Sequence, residues 1–304
     1  MHVDGDHRFV RKMISTSVNR EYGYVRWYSQ LKKLQRFNAL IPGYVPKVYD
    51  AGVTDDGAYF DIEYIDAKDI KTLFKENLLS KEQTERMHKS LWFAFDRLHT
   101  QQYKPNANSL LLYFQEEVLQ KLNDARQFPE FEQFYQLDVY QHQGQTFSGI
   151  KNRLEKFSKL FEQSITEESY VHGNPTLENI LYDPENDSIV FIDLYEEGIV
   201  DSKFADYSQV LQCSNSLYGL LNDSVLTVTG NKTEYIVDVP DCLTYFNELF
   251  NAELKYRHPT NYTLVKLFEA TQFFRMLPFK CHANNIEAAK FFYAHACSLV
   301  NTLL

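Results

Sequence analysis

Four side chains in one short stretch define the chemistry this chain could do. His172, Asn174 and Asn179 lie in the run His172-Gly-Asn-Pro-Thr-Leu-Glu-Asn179, and Asp193 ends the apolar segment that begins at Ser188. Asn179 comes five residues after Asn174, and Asp193 fourteen residues after Asn179, an interval with room for one hairpin turn. Amide and carboxylate groups so spaced can position a charged group and neutralise it, the two things phosphoryl transfer asks of a protein. The Asn174 amide oxygen could hold a hydroxyl in line but could not take its proton. Each residue by itself reads as hairpin punctuation or as a satisfied core histidine. The joint spacing, with a further acid at Asp206, is what points to chemistry.

This stretch resembles the catalytic loop of the aminoglycoside phosphotransferase and choline kinase families, the small-molecule branch of the protein-kinase-like fold. In those families the loop reads His-Gly-Asp with Asn five residues later, and the next strand ends in Ile-Asp, here Ile192-Asp193. The resemblance implies that Asn179 and Asp193 are metal ligands and that His172 is a structural histidine beneath the loop. It implies that Asp206, in Asp206-Tyr-Ser-Gln-Val-Leu-Gln212, pins the loop from behind. The closing Phe273-Phe-Arg-Met-Leu-Pro278 also looks like the end of such proteins. ATP and Mg2+ are the implied cofactors, and a sugar or amino-alcohol is the implied acceptor, with a hint of surface-polysaccharide synthesis. One position departs: Asn174 stands where these families carry the catalytic Asp. Three outcomes are open, namely a working kinase inactivated by substitution, a naturally weak or altered enzyme, or a pseudokinase that binds nucleotide or a partner without catalysis.

Ordinary elements must bring these residues together. Residues 7–14 read as a strand, and Tyr24, Trp27, Tyr28, Leu31 and Leu34 set a helical period over 18–38. Pro42, Gly43 and Pro46 end that helix, and strands over 47–53 and 58–65 flank the hairpin signal Thr54-Asp-Asp-Gly57. This order fits the small β-rich lobe of the two-lobed, α+β protein-kinase-like fold, expected over 1–66, with a larger and mainly helical lobe over 67–304. Ser80 and Gln83 have capping-box form and open a helix that runs to about His99. Helices are expected within 108–166, interrupted near Pro129 and Gly144, and again over 261–304, with a small hairpin within 225–238.

On the nucleotide side the resemblance assigns Lys12 to the phosphates, with Glu21 on the following helix as its partner. Glu63-Tyr64-Ile65 would meet the adenine edge through backbone groups, with Ile65 and Leu73 as apolar walls. A lysine on an exposed edge strand is the plainer account of Lys12. Only one glycine, Gly5, precedes Lys12, so the phosphate-covering glycine loop is expected to be missing. Glu196, Glu197 and Asp201 could receive a polyol or amine, although surface acids more often just face solvent.

Bulk properties narrow the function class. A net charge of −10 argues against a nucleic-acid partner, which demands a basic footprint, and is compatible with neutral or cationic small molecules. Cys213, Cys242, Cys281 and Cys297 show no Cys-x-x-Cys spacing, so reduced thiols in a cytoplasmic protein are expected rather than zinc or disulfides. No run is long enough to span a bilayer and the start lacks an apolar signal core. The sequons at Asn186, Asn222, Asn231 and Asn261 are then chance matches. Nothing marks the unusually acidic cleft expected of an antibiotic-resistance kinase.

Overall fold

The computed structural model describes residues 2–4, 7–15, 20–54, 57–100, 102–103, 108–194 and 198–304. The chain opens with β1 (His2–Asp4), β2 (His7–Ser15), α1 (Arg20–Leu40), β3 (Val48–Thr54), β4 (Gly57–Glu63), β5 (Lys68–Asp69), α2 (Ile70–Lys75) and α3 (Lys81–Leu98). Then come β6 (Gln102–Tyr103), α4 (Ser109–Phe114), a π-helical stretch Gln115–Gln120, α5 (Lys121–Ala125), α6 (Pro129–Tyr135), β7 (Val139–His142), β8 (Gln145–Ser148), α7 (Leu154–Glu162) and β9 (Glu168–Ser169). The order closes with β10 (Ile180–Asp183), β11 (Ser188–Phe191), α8 (Lys203–Ser214), α9 (Tyr218–Asn222), β12 (Leu226–Thr229), β13 (Lys232–Tyr235), α10 (Asp241–Arg257), α11 (Tyr262–His282) and α12 (Ile286–Asn301). Among the described residues, no helix is long and apolar enough to cross a membrane.

These elements form two compact units, Met1–Gln101 with Ser169–Asp201, and Gln102–Glu168 with Ser202–Leu304. The 66/67 boundary expected from the sequence falls inside the first unit. There β10 pairs with β5, Leu181 opposite Asp69 and Tyr182 opposite Lys68. The Phe191 N–H also donates to the Tyr44 carbonyl at 2.8 Å, so the later strands are bonded to the early ones.

In the first unit an antiparallel sheet runs in the order β1-β2-β4-β3. Arg11 of β2 lies opposite Asp61 of β4, and Lys12 opposite Phe60. Strand alternation sends Arg11 and Lys12 to opposite faces. Arg11 forks onto the buried Asp61 carboxylate with two 2.7 Å hydrogen bonds, and its guanidinium sits 4.3 Å from the Tyr59 ring centre. A one-residue slip would break this fork and bury Arg11, so the pair fixes the register that orients Lys12. On the other face Ala58 and Phe60 are buried, and α1 turns its apolar stripe of Trp27, Leu31, Leu34 and Phe37 inward. The capping box of α3 forms as the sequence predicts: Gln83 N–H donates to Ser80 Oγ at 3.2 Å and Ser80 N–H to Gln83 Oε1 at 2.9 Å. Thr54 pairs with Gly57 across β3 and β4, while residues 55–56 lie outside the described set.

The second unit is mainly helical, and α11 and α12 carry long runs of buried apolar residues. Its sheet runs β12-β13-β7-β8. The hairpin expected within 225–238 is β12 and β13, turning at Gly230 with φ 61°. The interruption expected near Gly144 lies between α6 and α7 and takes the form of a second hairpin. There Gln143 and Gly144 take φ of 48° and 76° between β7 and β8.

Candidate functional site

β10 and β11 form an antiparallel ribbon with Ile180 opposite Phe191. The residues just beyond that pair therefore meet, and the Ile192 N–H donates to the Asn179 carbonyl at 2.9 Å. Asn179 and Asp193, far apart in the sequence, thus share one end of one ribbon. Asp193 takes φ 56°, a left-handed conformation that Asp and Asn adopt more readily than other side chains.

His172 is fully buried and edge-on to Phe191, with ring centres 5.6 Å apart. Its Nε2 lies 2.9 Å from the Ile192 carbonyl. A carbonyl only accepts, so the imidazole proton sits on Nε2 and Nδ1 is left as an acceptor. That acceptor takes the Asn174 N–H at 3.1 Å. Gly173, with φ 87°, supplies the left-handed step between the two residues, where a side chain would be strained. The Asn174 carbonyl then accepts from Asn179 Nδ2 at 3.0 Å and from the Thr176 N–H at 2.9 Å. His172, Asn174 and Asn179 are thereby held by backbone and ring bonds. The Asn174 side chain is half-buried and makes no hydrogen bond among the described residues.

Lys12 reaches across from β2 and its ammonium pairs with Asp193. The two side chains are 31% and 53% exposed, so solvent screens the pair and its contribution to stability is small. Its significance is positional, because it sets a cation donor beside a carboxylate and a free amide oxygen. Asn179 spends Nδ2 on the loop, and its Oδ1 takes no hydrogen bond among the described residues. No group of three His, Cys, Asp or Glu side chains converges among the described residues. One carboxylate and one amide oxygen nevertheless suit Mg2+, which takes few protein oxygens and fills its octahedron with phosphate and water.

The other expected residues fall less tightly. Glu21 stands exposed in the first turn of α1, and Lys12 has Asp193 as its partner instead. Lys12 borders a cavity of about 20 Å³ together with Asp193, Phe60, Ile62 and a residue of α1 that is absent from the expected set, Gln30. Its signal was available as a polar residue beside an otherwise apolar stripe at 27, 31 and 34. Glu63 donates its N–H to the Lys47 carbonyl at 2.8 Å and accepts the Lys47 N–H on its carboxylate at 3.2 Å. Ile65 is half-buried, and its backbone has no hydrogen-bond partner among the described residues, as a nucleobase edge would require. Leu73 is buried in α2. Thr176, also unanticipated, has a buried Oγ1 without a partner inside the loop. Asp206 is buried in α8 of the second unit. Asp201 accepts the Gly198 N–H at 3.3 Å, whereas Glu196 and Glu197 lie outside the described residues.

A family model described as fructosamine kinase matches residues 4–194. Among solved structures, the GDP complex of a point mutant of aminoglycoside 2'-phosphotransferase-IIIa is similar at a TM-score of 0.53 and 14% identity, over 90% of this chain and 82% of that one. An aminoglycoside-3'-phosphotransferase of type VIII gives a TM-score of 0.46 at 16% identity, over 87% of this chain and 85% of that one. No curated protein matches the chain. The fold is thus the two-lobed, α+β protein-kinase-like one, with a small β-sheet lobe and a mainly helical lobe.

Proposed function

The chain belongs to the fructosamine kinase family, and from that premise we propose that it transfers a phosphoryl group from ATP to a hydroxyl of a sugar or amino-alcohol. The observation that carries this reading is the frame in which His172 and Asn179 hold the Asn174 backbone while Lys12 meets Asp193 at the same ribbon end. Asn179 and Asp193 would hold Mg2+, which when bound neutralises charge on the phosphate oxygens. Lys12 would turn to the nucleotide phosphates, and the unpaired Ile65 backbone would take the adenine edge. The GDP in the similar aminoglycoside phosphotransferase supports a nucleotide as the donor. A cytoplasmic location belongs to the same reading.

Asn174 governs the rate. Its side-chain oxygen would accept a hydrogen bond from the acceptor hydroxyl and aim it, but it cannot remove the proton, a service typically worth about 10²–10⁴-fold. In a loose transition state the proton leaves late, so slow turnover survives on positioning and charge neutralisation. The same residue favours a second reading, a pseudokinase that uses this frame to bind nucleotide without transfer.

Calorimetric titration of ATP with and without Mg2+, on this chain and on Asn174→Asp, separates these readings. Magnesium-dependent binding in both proteins, with faster ADP release in the Asp form when sugar and amino-alcohol acceptors are supplied, supports the phosphotransferase. Binding with no ADP release in either form supports the pseudokinase. Absence of binding in both would sink nucleotide use altogether.

A further inference from the structure

The sheet of the second unit ends on an unguarded strand. In the order β12-β13-β7-β8, β12 has β13 on one side and, among the described residues, no strand on the other. The ladder fixes where its backbone groups point. The Thr233 carbonyl accepts the Gln143 N–H of β7 at 3.1 Å, so Thr233 turns its backbone away from β12. Val228 lies opposite Thr233 and therefore turns its own N–H and C=O to the free edge, as does Leu226 two residues away. These groups have no hydrogen-bond partner among the described residues. Protein edges usually carry a lysine, a proline or a bulge that discourages further pairing. β12 reads Leu226-Thr-Val-Thr229, pairs with β13 without a bulge and has no such guard. At its open end Val225 and Ile236 continue the hairpin side by side, 82% and 93% exposed.

We propose that β12 pairs antiparallel with β12 of a second copy of this chain, about a two-fold axis through Thr227, so that two sheets become one. The edge is complementary to itself. With Thr227 facing Thr227, Leu226 of each copy falls opposite Val228 of the other, and each such pair exchanges two hydrogen bonds through the outward groups. A one-residue shift of register would leave those groups facing the wrong partners. On the exposed face Val225 falls opposite Thr229 of the second copy, whose methyl group covers it in part. The row that meets, Val225 to Thr229, carries no charge, so self-pairing sets no like charges against each other there, and a charged strand would gain nothing from it. Each whole copy nevertheless carries −10, and salt that screens this repulsion should tighten the pair. So short an edge buries less than the roughly 1,200 Å² of a stable complex. The dimer is accordingly transient and depends on concentration.

Sedimentation velocity on the full chain tests this, carried to about 1 mM, where a Kd of that order still shows. The parent should shift from monomer towards dimer as concentration rises, and more so in added salt. Val228→Pro removes an N–H that β13 does not use. Its unfolding midpoint should stay near the parent's while the dimer Kd rises about thirtyfold, as expected for the loss of one hydrogen bond from each of the two pairs. Thr227→Lys and Thr227→Glu each set like charges face to face and should weaken self-association about fivefold, whereas their equimolar mixture should return to the parent's Kd or below it. That mixture decides the matter even if the proline variant fails to fold. A parent chain that stays monomeric to 1 mM, a dimer indifferent to all of these substitutions, or one that weakens with salt would each overturn the proposal.

Discussion

His172 holds Asn174 by its backbone, and the Asn174 side chain makes no hydrogen bond among the described residues. The imidazole accepts the Asn174 N–H on Nδ1 at 3.1 Å while Nε2 donates to the Ile192 carbonyl at 2.9 Å. One buried ring thus joins the loop to the residue just before Asp193, and what occupies position 174 is decoupled from how the loop is held. Exchange of Asn174 for Asp should accordingly leave the unfolding midpoint nearly unchanged. On the phosphotransferase reading it should raise ADP release by about 10²–10⁴-fold. A steady-state coupled assay beside a urea melt checks both halves.

His172→Phe keeps a ring against Phe191 but leaves the Asn174 N–H and the Ile192 carbonyl without this partner. Buried polar groups left unpaired cost about 1–3 kcal/mol each. The variant should therefore lose stability of that order in urea unfolding, with Mg2+-dependent nucleotide binding weakened as the loop loosens. An unfolding midpoint equal to the parent's would show that the ring, and not its hydrogen bonds, does the holding.

Asp193→Asn should behave in the opposite way. Asn accepts the left-handed backbone at this position, and the lost ion pair with Lys12 is solvent-screened, so stability should change by less than about 1 kcal/mol. The effect of Mg2+ on ATP affinity should disappear, measured by titrating the metal at fixed nucleotide.

Acid should destabilise the second unit through two buried histidines. His142 Nε2 meets His295 Nδ1 at 2.9 Å, and Thr233 Oγ1 closes the network at 2.9 Å on His142 Nδ1. Burial lowers His142 to about 4. Burial first, then the charges of His142 and Lys266, lowers His295 to about 3. Both folded values lie below the ordinary 6.5 or so of an unfolded histidine, so the unfolded chain binds more protons as pH falls. Stability from this pair is complete above about pH 6.5 and is lost progressively down to pH 3–4. Urea midpoints measured from pH 7 to pH 4 should fall along that limb. His295→Phe, entering a surround that already holds Phe273 and Phe291, should flatten it.

Thiol reagents should discriminate among the cysteines. Burial pushes the Cys281 thiol up to about 11 and the Cys297 thiol up to about 12, and Cys242 is also buried and raised. Cys213 is the partly exposed one. Maleimide labelling of the native protein should reach Cys213 first, with the other three reacting only after denaturation. Early labelling at Cys297 would contradict the packing around it.

The elements that frame the site were largely legible because they rest on local rules. Alternation put Val10 and Lys12 on one face of β2, the three- and four-residue spacing from Trp27 to Leu34 gave α1, and Ser80 with Gln83 announced α3. The lysine's partner is not legible, because residue type and position alone favour the acid at Glu21. Helix rotation decides which side chain faces the sheet, and the rotation brings Gln30 inward. The β7 and β8 strands, four residues each, are too short to show a clear period, and the parallel partner of β7, β13, lies about ninety positions later, with Lys232 opposite Gln141. The 66/67 division leaves β5 and β10 on the same side, but a pairing between strands so far apart in the chain is one no local pattern encodes.

That pairing has a consequence for synthesis on the ribosome. The Lys12–Asp193 contact spans 181 positions, and β5 cannot find β10 until the later strand has left the exit tunnel. Residues 102–168, which fold with the other unit, must therefore emerge while the first is still unfinished. Chains stalled or cleaved in that window would carry an unpaired strand edge and a half-built ribbon end, the kind of species that chaperones intercept. Translation speed through 102–201, and not the intrinsic stability of either unit, should then set how much native protein a cell recovers.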